Sequence, residues 1–189
     1  MKFVRFTQRE KVVQLHEANP LAYFYDTSTH APYARDHSFV EDFSVFSPFM
    51  QYENVPVPGM SILSDSVEGV WQGLKIIKGK IDPSYFRGKG RKRYGIPTGH
   101  LYGGSKINYS EARKKIYVPT YKFMVSHLVQ KENIDLIINR AFEDKVQYFF
   151  DVDENGDLGN LHSPLAHSSV LVNIINDLLM QNRRSRDLS

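Results

Sequence analysis

The sequence predicts one α+β domain, mostly helical with a few short strands. Three observations lead there. Apolar residues recur at helical spacing over residues 67–77 and 133–144 and again towards the C-terminus. Short aromatic runs bounded by turn residues, at 21–25 and 146–150, read as strands instead. Finally, 189 residues with 41% hydrophobic content are enough for a substantial core, and no internal repeat or low-complexity segment divides them.

Taken in order, residues 1–18 read as a short strand followed by a short helix. After Asn19-Pro20, Leu21-Ala22-Tyr23-Phe24-Tyr25 is a strand closed by polar residues. Residues 30–37, with Pro32, read as a loop. Phe39, Phe43, Phe46 and Phe49 recur too densely for a solvent face and belong in the core, which leaves Ser44 and Ser47 among them as the positions able to meet a substrate. Residues 51–60 are rich in turn formers and deliver the central element of the chain.

That element is Ser64-Asp65-Ser66-Val67-Glu68-Gly69-Val70-Trp71-Gln72-Gly73-Leu74-Lys75-Ile76-Ile77. On a helix, Val67, Val70, Leu74 and Ile77 form an apolar stripe, while Glu68, Trp71, Gln72 and Lys75 share the neighbouring face. A carboxylate, an indole, an amide and an ammonium suffice to move a proton, stack on a ring, bind a hydroxyl and neutralise a phosphate. A structural reading stands beside this one: Asp65-x-x-Glu68 fits a capping box, with Asp65 as N-cap. Gly69 and Gly73 imply close approach of another backbone or of a ligand.

Beyond Asp82-Pro83 lies Arg87-Gly88-Lys89-Gly90-Arg91-Lys92-Arg93, five basic residues in seven. It lacks the Gly-Lys-Ser/Thr of a P-loop, yet its glycines and cations suit phosphate oxygens, so Arg87, Lys89, Arg91, Lys92 and Arg93 are candidate phosphate or nucleic-acid contacts; a solvated basic loop is the alternative. The glycine-rich residues 94–104 read as a flexible loop able to cover an anionic ligand. Ser110 is placed to N-cap a second helix, and Pro119 to kink or restart it. Arg113, Tyr117 and Tyr121 share its face, suited to a phosphate and a base, or else to the core. Residues 133–144 form a third helix with Ile134, Ile137, Ile138 and Ala141 inward.

Residues 151–162 match the first six positions of an EF-hand loop, but the twelfth is His162 instead of glutamate, and a strand-like run precedes it. A tight acidic turn is the reading adopted. Ser163-Pro164 then opens the last helix, with Leu165, Val172, Ile175 and Leu179 inward, His167 in its first turn, and a frayed basic tail over 182–189.

Several classes are excluded or disfavoured. The chain has no cysteine, hence no disulfide framework, zinc-thiolate site or cysteine nucleophile. No run of about 18 apolar residues is present and the N-terminal residues lack a signal-peptide core, so a cytoplasmic protein without membrane contact is expected. The formal charge of +3 permits an anionic partner without demanding one.

Ser66-Val67-Glu68-Gly69-Val70-Trp71-Gln72-Gly73-Leu74-Lys75 resembles the signature of the NADAR (YbiA-like) superfamily of N-glycosidases, which reads T/S-x-E-H-x-aromatic-Q-A-x-K. Asp42-Phe43-Ser44-Val45-Phe46-Ser47-Pro48-Phe49 resembles its opening F-S-N-F-x-P; Gly69 stands where the family has His, and Val45 where it has Asn. The chain also resembles an uncharacterised phage and bacterial family carrying S-V-E-G-x-W-Q-G-L-K, then A-R-x-x-I-Y-x-P-x-Y, here Ala112 to Tyr121, and P-L-x-H, here Pro164 to His167.

The resemblance implies a YbiA-like fold and hydrolysis of the N-glycosidic bond of ADP-ribosylated guanine, in DNA or nucleotides, with no metal and no cofactor. In phage that would reverse a host's ADP-ribosylation defence. Glu68 is then the catalytic carboxylate. Trp71 stacks on base or ribose, Gln72 binds a hydroxyl, Lys75 and Arg113 meet the diphosphate, and Ser44, Ser47, Tyr117 and His167 complete the substrate contacts. The competing expectation is a non-catalytic nucleic-acid-binding accessory protein. Oligomeric state is not legible.

Overall fold

The structure is a computed structural model that describes residues 3–187, and the side chains of residues 185–187 are left aside. The chain is α+β, with more residues in helices than in strands. It forms two compact units: residues up to 47 together with those from 130 onward, and residues 48–129.

The first unit is built on a parallel sheet. Strands β1 (Arg5–Phe6), β2 (Tyr23–Asp26), β3 (Val40–Asp42) and, from the far end of the chain, β9 (Gln147–Phe150) stand in the order β1-β9-β2-β3. Parallel strands are covered on both faces, and the continuous aromatic runs of β2 and β9 suit that: Phe24, Tyr25, Phe149 and Phe150 are all fully buried. Helices α1 (Val12–Ala18), α2 (Pro32–Asp36), α6 (Lys131–Phe142) and α7 (His167–Asp187) supply the crossovers and cover. Val12, Ala22, Phe24, Val40 and Phe150 form the core beneath α1.

Three expectations are corrected in this unit. Residues 30–37 contain α2, because Pro32 presets the first turn and the buried Asp26 carboxylate accepts from the backbone N–H of Tyr33 at 2.9 Å. The last helix begins at His167, not at Ser163-Pro164. Leu165 bridges to Asn155, Ala166 N–H donates to the Asn155 carbonyl at 2.8 Å, and the first turn is capped from elsewhere. The basic tail continues α7 through Asp187 instead of fraying at 182, and Leu188 and Ser189 lie outside the described residues.

The second unit holds a short pair, β4 (Val55–Pro56) and β5 (Leu63–Ser64), then α3 (Val67–Gly73) and an antiparallel sheet β6-β7-β8 (Lys75–Ile77, Pro97–Tyr102, Ser105–Ile107). The helical run that follows consists of α4 (Tyr109–Ala112), a π-helical segment (Arg113–Tyr117) and α5 (Val118–His127).

Here α3 is shorter than its periodicity implies. It stops at Gly73, whose carbonyl accepts from Asp82 N–H at 3.0 Å, so Lys75 and Ile77 lie on β6 and not on the helix. Residues 94–104 are not a free loop. Pro97–Tyr102 pairs on both edges, and Gly103-Gly104, at φ 55° and 79°, form the two-residue turn into β8. Nor does Pro119 interrupt the second helix. Asn108, not Ser110, caps it by accepting from Glu111 N–H at 2.9 Å, and the wide π turn just before Pro119 accommodates the missing N–H and the ring.

Candidate functional site

The start of α3 is capped by Ser66, whose hydroxyl accepts from Gly69 N–H at 3.0 Å. The capping-box reading of Asp65 and Glu68 is thereby corrected. Asp65 precedes the cap, and its carboxylate accepts from Gly88 N–H at 2.6 Å and pairs with Arg87 at 3.4 Å. Glu68 is released from capping duty. Its side chain accepts from Gln72 Nε2 at 2.5 Å while its own N–H donates to the Pro48 carbonyl at 2.8 Å, and it is only 6% exposed.

The two helix glycines are explained by a neighbour. A Cβ at Gly69 would lie 2.6 Å from the Tyr85 carbonyl oxygen, and one at Gly73 only 2.2 Å from the Phe86 ring. Both residues belong to a 3-10 turn, Pro83–Phe86, that packs directly on the bare side of α3. The close approach expected there is thus one of backbone and ring.

That turn carries the basic stretch 87–93 straight onto the chemical side of the helix. A Cβ at Gly90 would sit 2.8 Å from the Cβ of Glu68, and Gly90 N–H donates to the Phe49 carbonyl at 3.2 Å. Arg93 N–H donates to Gln72 Oε1 at 3.1 Å, and its guanidinium donates to the Lys75 carbonyl at 2.7 Å. Gln72 therefore bridges Glu68 to the backbone of Arg93, fixing the carboxylate's orientation. Arg91 lies over the Tyr85 ring at 4.5 Å, and Arg87, Lys89 and Lys92 are exposed.

Trp71 lies among protein rings: His100 at 4.0 Å, Tyr109 at 5.3 Å and Tyr117 at 5.6 Å between centroids. Tyr117 stacks on Tyr121, and the buried Arg113 lies over Tyr109 at 5.2 Å. Although Lys75 has left the helix, its ammonium comes within 5.9 Å of the Trp71 ring. Burial lowers its pKa, the Glu68 carboxylate opposes that, and Lys92 and Arg93 lower it further. Glu68, Trp71, Gln72, Lys75, Arg113 and Tyr117 thus share the second unit with the basic stretch.

His100 is the residue that sequence reasoning missed. It faces Lys75 directly across β6 and β7, is fully buried, and neither ring nitrogen has a hydrogen-bond partner among the described residues. Burial, with the Lys75 charge adding to it, pushes its pKa down to about 3. It lies in a glycine-rich stretch with no local pattern, and only strand pairing reveals its neighbours.

Ser44, Ser47 and His167 belong to the first unit. Ser44 N–H donates to Asp42 at 2.8 Å, and the buried Ser47 hydroxyl is 2.8 Å from that of Thr29. His167 is held by Asp151 (Nδ1 to Oδ2, 3.1 Å) and by the Thr27 carbonyl (2.9 Å from Nε2). Asp151 also accepts from Ser168 N–H and Oγ–H, both at 2.8 Å, and so caps α7 across sixteen intervening residues. The Asn155 amide donates to the carbonyls of Asn160 and Ser163, which ties the acidic turn shut. Among the described residues no group of three or more acidic or histidine side chains is arranged to hold a metal ion, and no helix is long and apolar enough to cross a membrane.

Fold and site together define an α+β protein with a buried carboxylate, an ammonium on which it acts electrostatically, and a basic stretch packed over the same short helix. A family model described as a family of unknown function (DUF6939) matches residues 7–171, and the chain belongs to that family. No curated protein and no solved structure matches the chain.

Proposed function

We propose that the protein is an N-glycosidase with a YbiA-like fold, acting in the cytoplasm on the N-glycosidic bond of ADP-ribosylated guanine, in nucleotides or in nucleic acid. One observation carries the reading: Glu68, buried and hydrogen-bonded by Gln72, acts electrostatically on the Lys75 ammonium, whose pKa burial lowers. The resemblance of residues 66–75 to the NADAR signature supplies the reaction class.

In this reading the C1′–N bond breaks and its electron pair leaves with the base. The resulting oxocarbenium-like centre is stabilised by the Glu68 carboxylate, which also takes the proton of the attacking water and passes it to the departing nitrogen. Lys75 neutralises the adjoining phosphate, and Gln72 is a positioning residue. The stretch 87–93 contributes cations to the pyrophosphate or to a nucleic-acid backbone.

The test is mass-spectrometric detection of ADP-ribose released from guanine-ADP-ribosylated DNA and, separately, from ADP-ribosylated nucleotides. Glu68→Gln can keep the contact to Gln72, and Trp71 fluorescence checks that it remains folded. Release that falls by at least about a hundredfold in the variant is expected. No release by the folded wild type, or release indifferent to Glu68, would refute the proposal.

A further inference from the structure

Residues 93–96 stand out on the surface of the second unit. Arg93 is anchored by Gln72 and by the carbonyls of Lys75 and Lys80. Two residues on, Gly95 adopts φ 122°, and a Cβ there would lie 2.7 Å from the Ile77 side chain. The backbone is therefore pinned at both positions. Yet Tyr94 between them is 93% exposed and Ile96 beyond them 87% exposed. An exposed apolar side chain needs no explanation by itself. A tyrosine displayed from an anchored backbone, directly after five basic residues in seven, is a stacking platform beside a cationic track.

We infer that this surface binds single-stranded nucleic acid, with Tyr94 stacking on an unpaired base, Ile96 packing beside it, and Arg87, Lys89, Arg91 and Lys92 following the phosphates. The charge demands a polyanion, and stacking on Tyr94 demands a base that is not already stacked in a duplex. An acidic peptide would satisfy the charge but leave Tyr94 without a purpose. Because Gly90 and Arg93 touch Glu68 and Gln72, a strand held here is held next to the candidate carboxylate. The inference deepens the glycosidase reading by choosing polymer over free nucleotide, but the binding itself does not depend on Glu68 being catalytic.

The test is fluorescence anisotropy of the full chain with a labelled oligothymidylate of about a dozen nucleotides, the same sequence as a duplex, and polyglutamate as competitor. Binding to the single strand is expected to exceed that to the duplex. Tyr94→Ala should weaken it about tenfold, and Tyr94→Phe should restore it. Lys89→Ala with Lys92→Ala should flatten the salt dependence by about one to two in log–log slope. The three side chains replaced, Tyr94, Lys89 and Lys92, are exposed, so unchanged thermal unfolding confirms intact protein. Absence of binding, equal binding of the duplex, indifference to Tyr94, or equal competition by polyglutamate would overturn the inference. Binding without ADP-ribose release would leave it standing and sink the glycosidase reading alone.

Discussion

His100 offers the sharpest quantitative test of the site. In the unfolded chain its imidazole titrates near the ordinary value of about 6.5, whereas in the folded protein burial holds it neutral down to about pH 3. A histidine with a depressed native pKa takes up its proton on unfolding, so below about pH 6.5 the unfolded state binds more protons and stability falls with acidification. Each pH unit is worth about 1.4 kcal/mol, which makes the His100 contribution about 3 kcal/mol lost between about pH 6.5 and about pH 4. Other groups titrate in the same window. The quantity to measure is therefore the difference between wild type and His100→Leu, a change that removes both nitrogens at similar volume. Urea unfolding at each pH can be followed through Trp71, the chain's single tryptophan and the ring that lies 4.0 Å from His100. The wild type should lose stability more steeply than the variant across that window. Parallel pH dependences, or a native His100 resonance titrating near pH 6.5, would refute the buried, unpartnered placement.

Two stability predictions concern packing in the second unit and helix capping in the first. Gly73→Ala puts a methyl where the Phe86 ring stands, and despite alanine's better helix propensity it should destabilise by about 1–3 kcal/mol in urea unfolding; Phe86→Leu in the same background should recover part of that. Asp151→Ala removes the remote cap of α7 and the carboxylate facing His167. A loss of about 3 kcal/mol is expected by the same assay, whereas a change below about 1 kcal/mol would mean that the cap contributes little.

How much of this was legible beforehand depends on whether a signal was local. The aromatic runs of β2 and β9 were readable because a parallel strand covered on both faces leaves a continuous apolar stretch. Val67 and Val70 were readable as the buried side of α3, and the close approach at Gly69 and Gly73 was readable because glycine is otherwise costly in a helix. What the periodicity hid was where α3 ends. Lys75 and Ile77 continue the 3.6-residue pattern by coincidence, but Gly73 and the Asp82 contact turn the chain into β6. The glycines at 99, 103 and 104 suggested flexibility, whereas they mark a close approach to β8 and a tight turn within paired strands.

By itself, then, the sequence determined the α+β class, the aromatic strands, the chemical content of the 66–75 segment and the cationic character of residues 87–93. These follow from side-chain type and near-neighbour spacing. Tertiary structure decided which cap α3 uses, that Lys75 faces His100 across two strands, that Asp151 caps a helix starting at His167, and that the basic stretch lies against Glu68. Each of those joins groups more than a dozen residues apart or depends on where an element begins or ends, and no periodicity along the chain encodes which distant backbone will satisfy an open hydrogen bond.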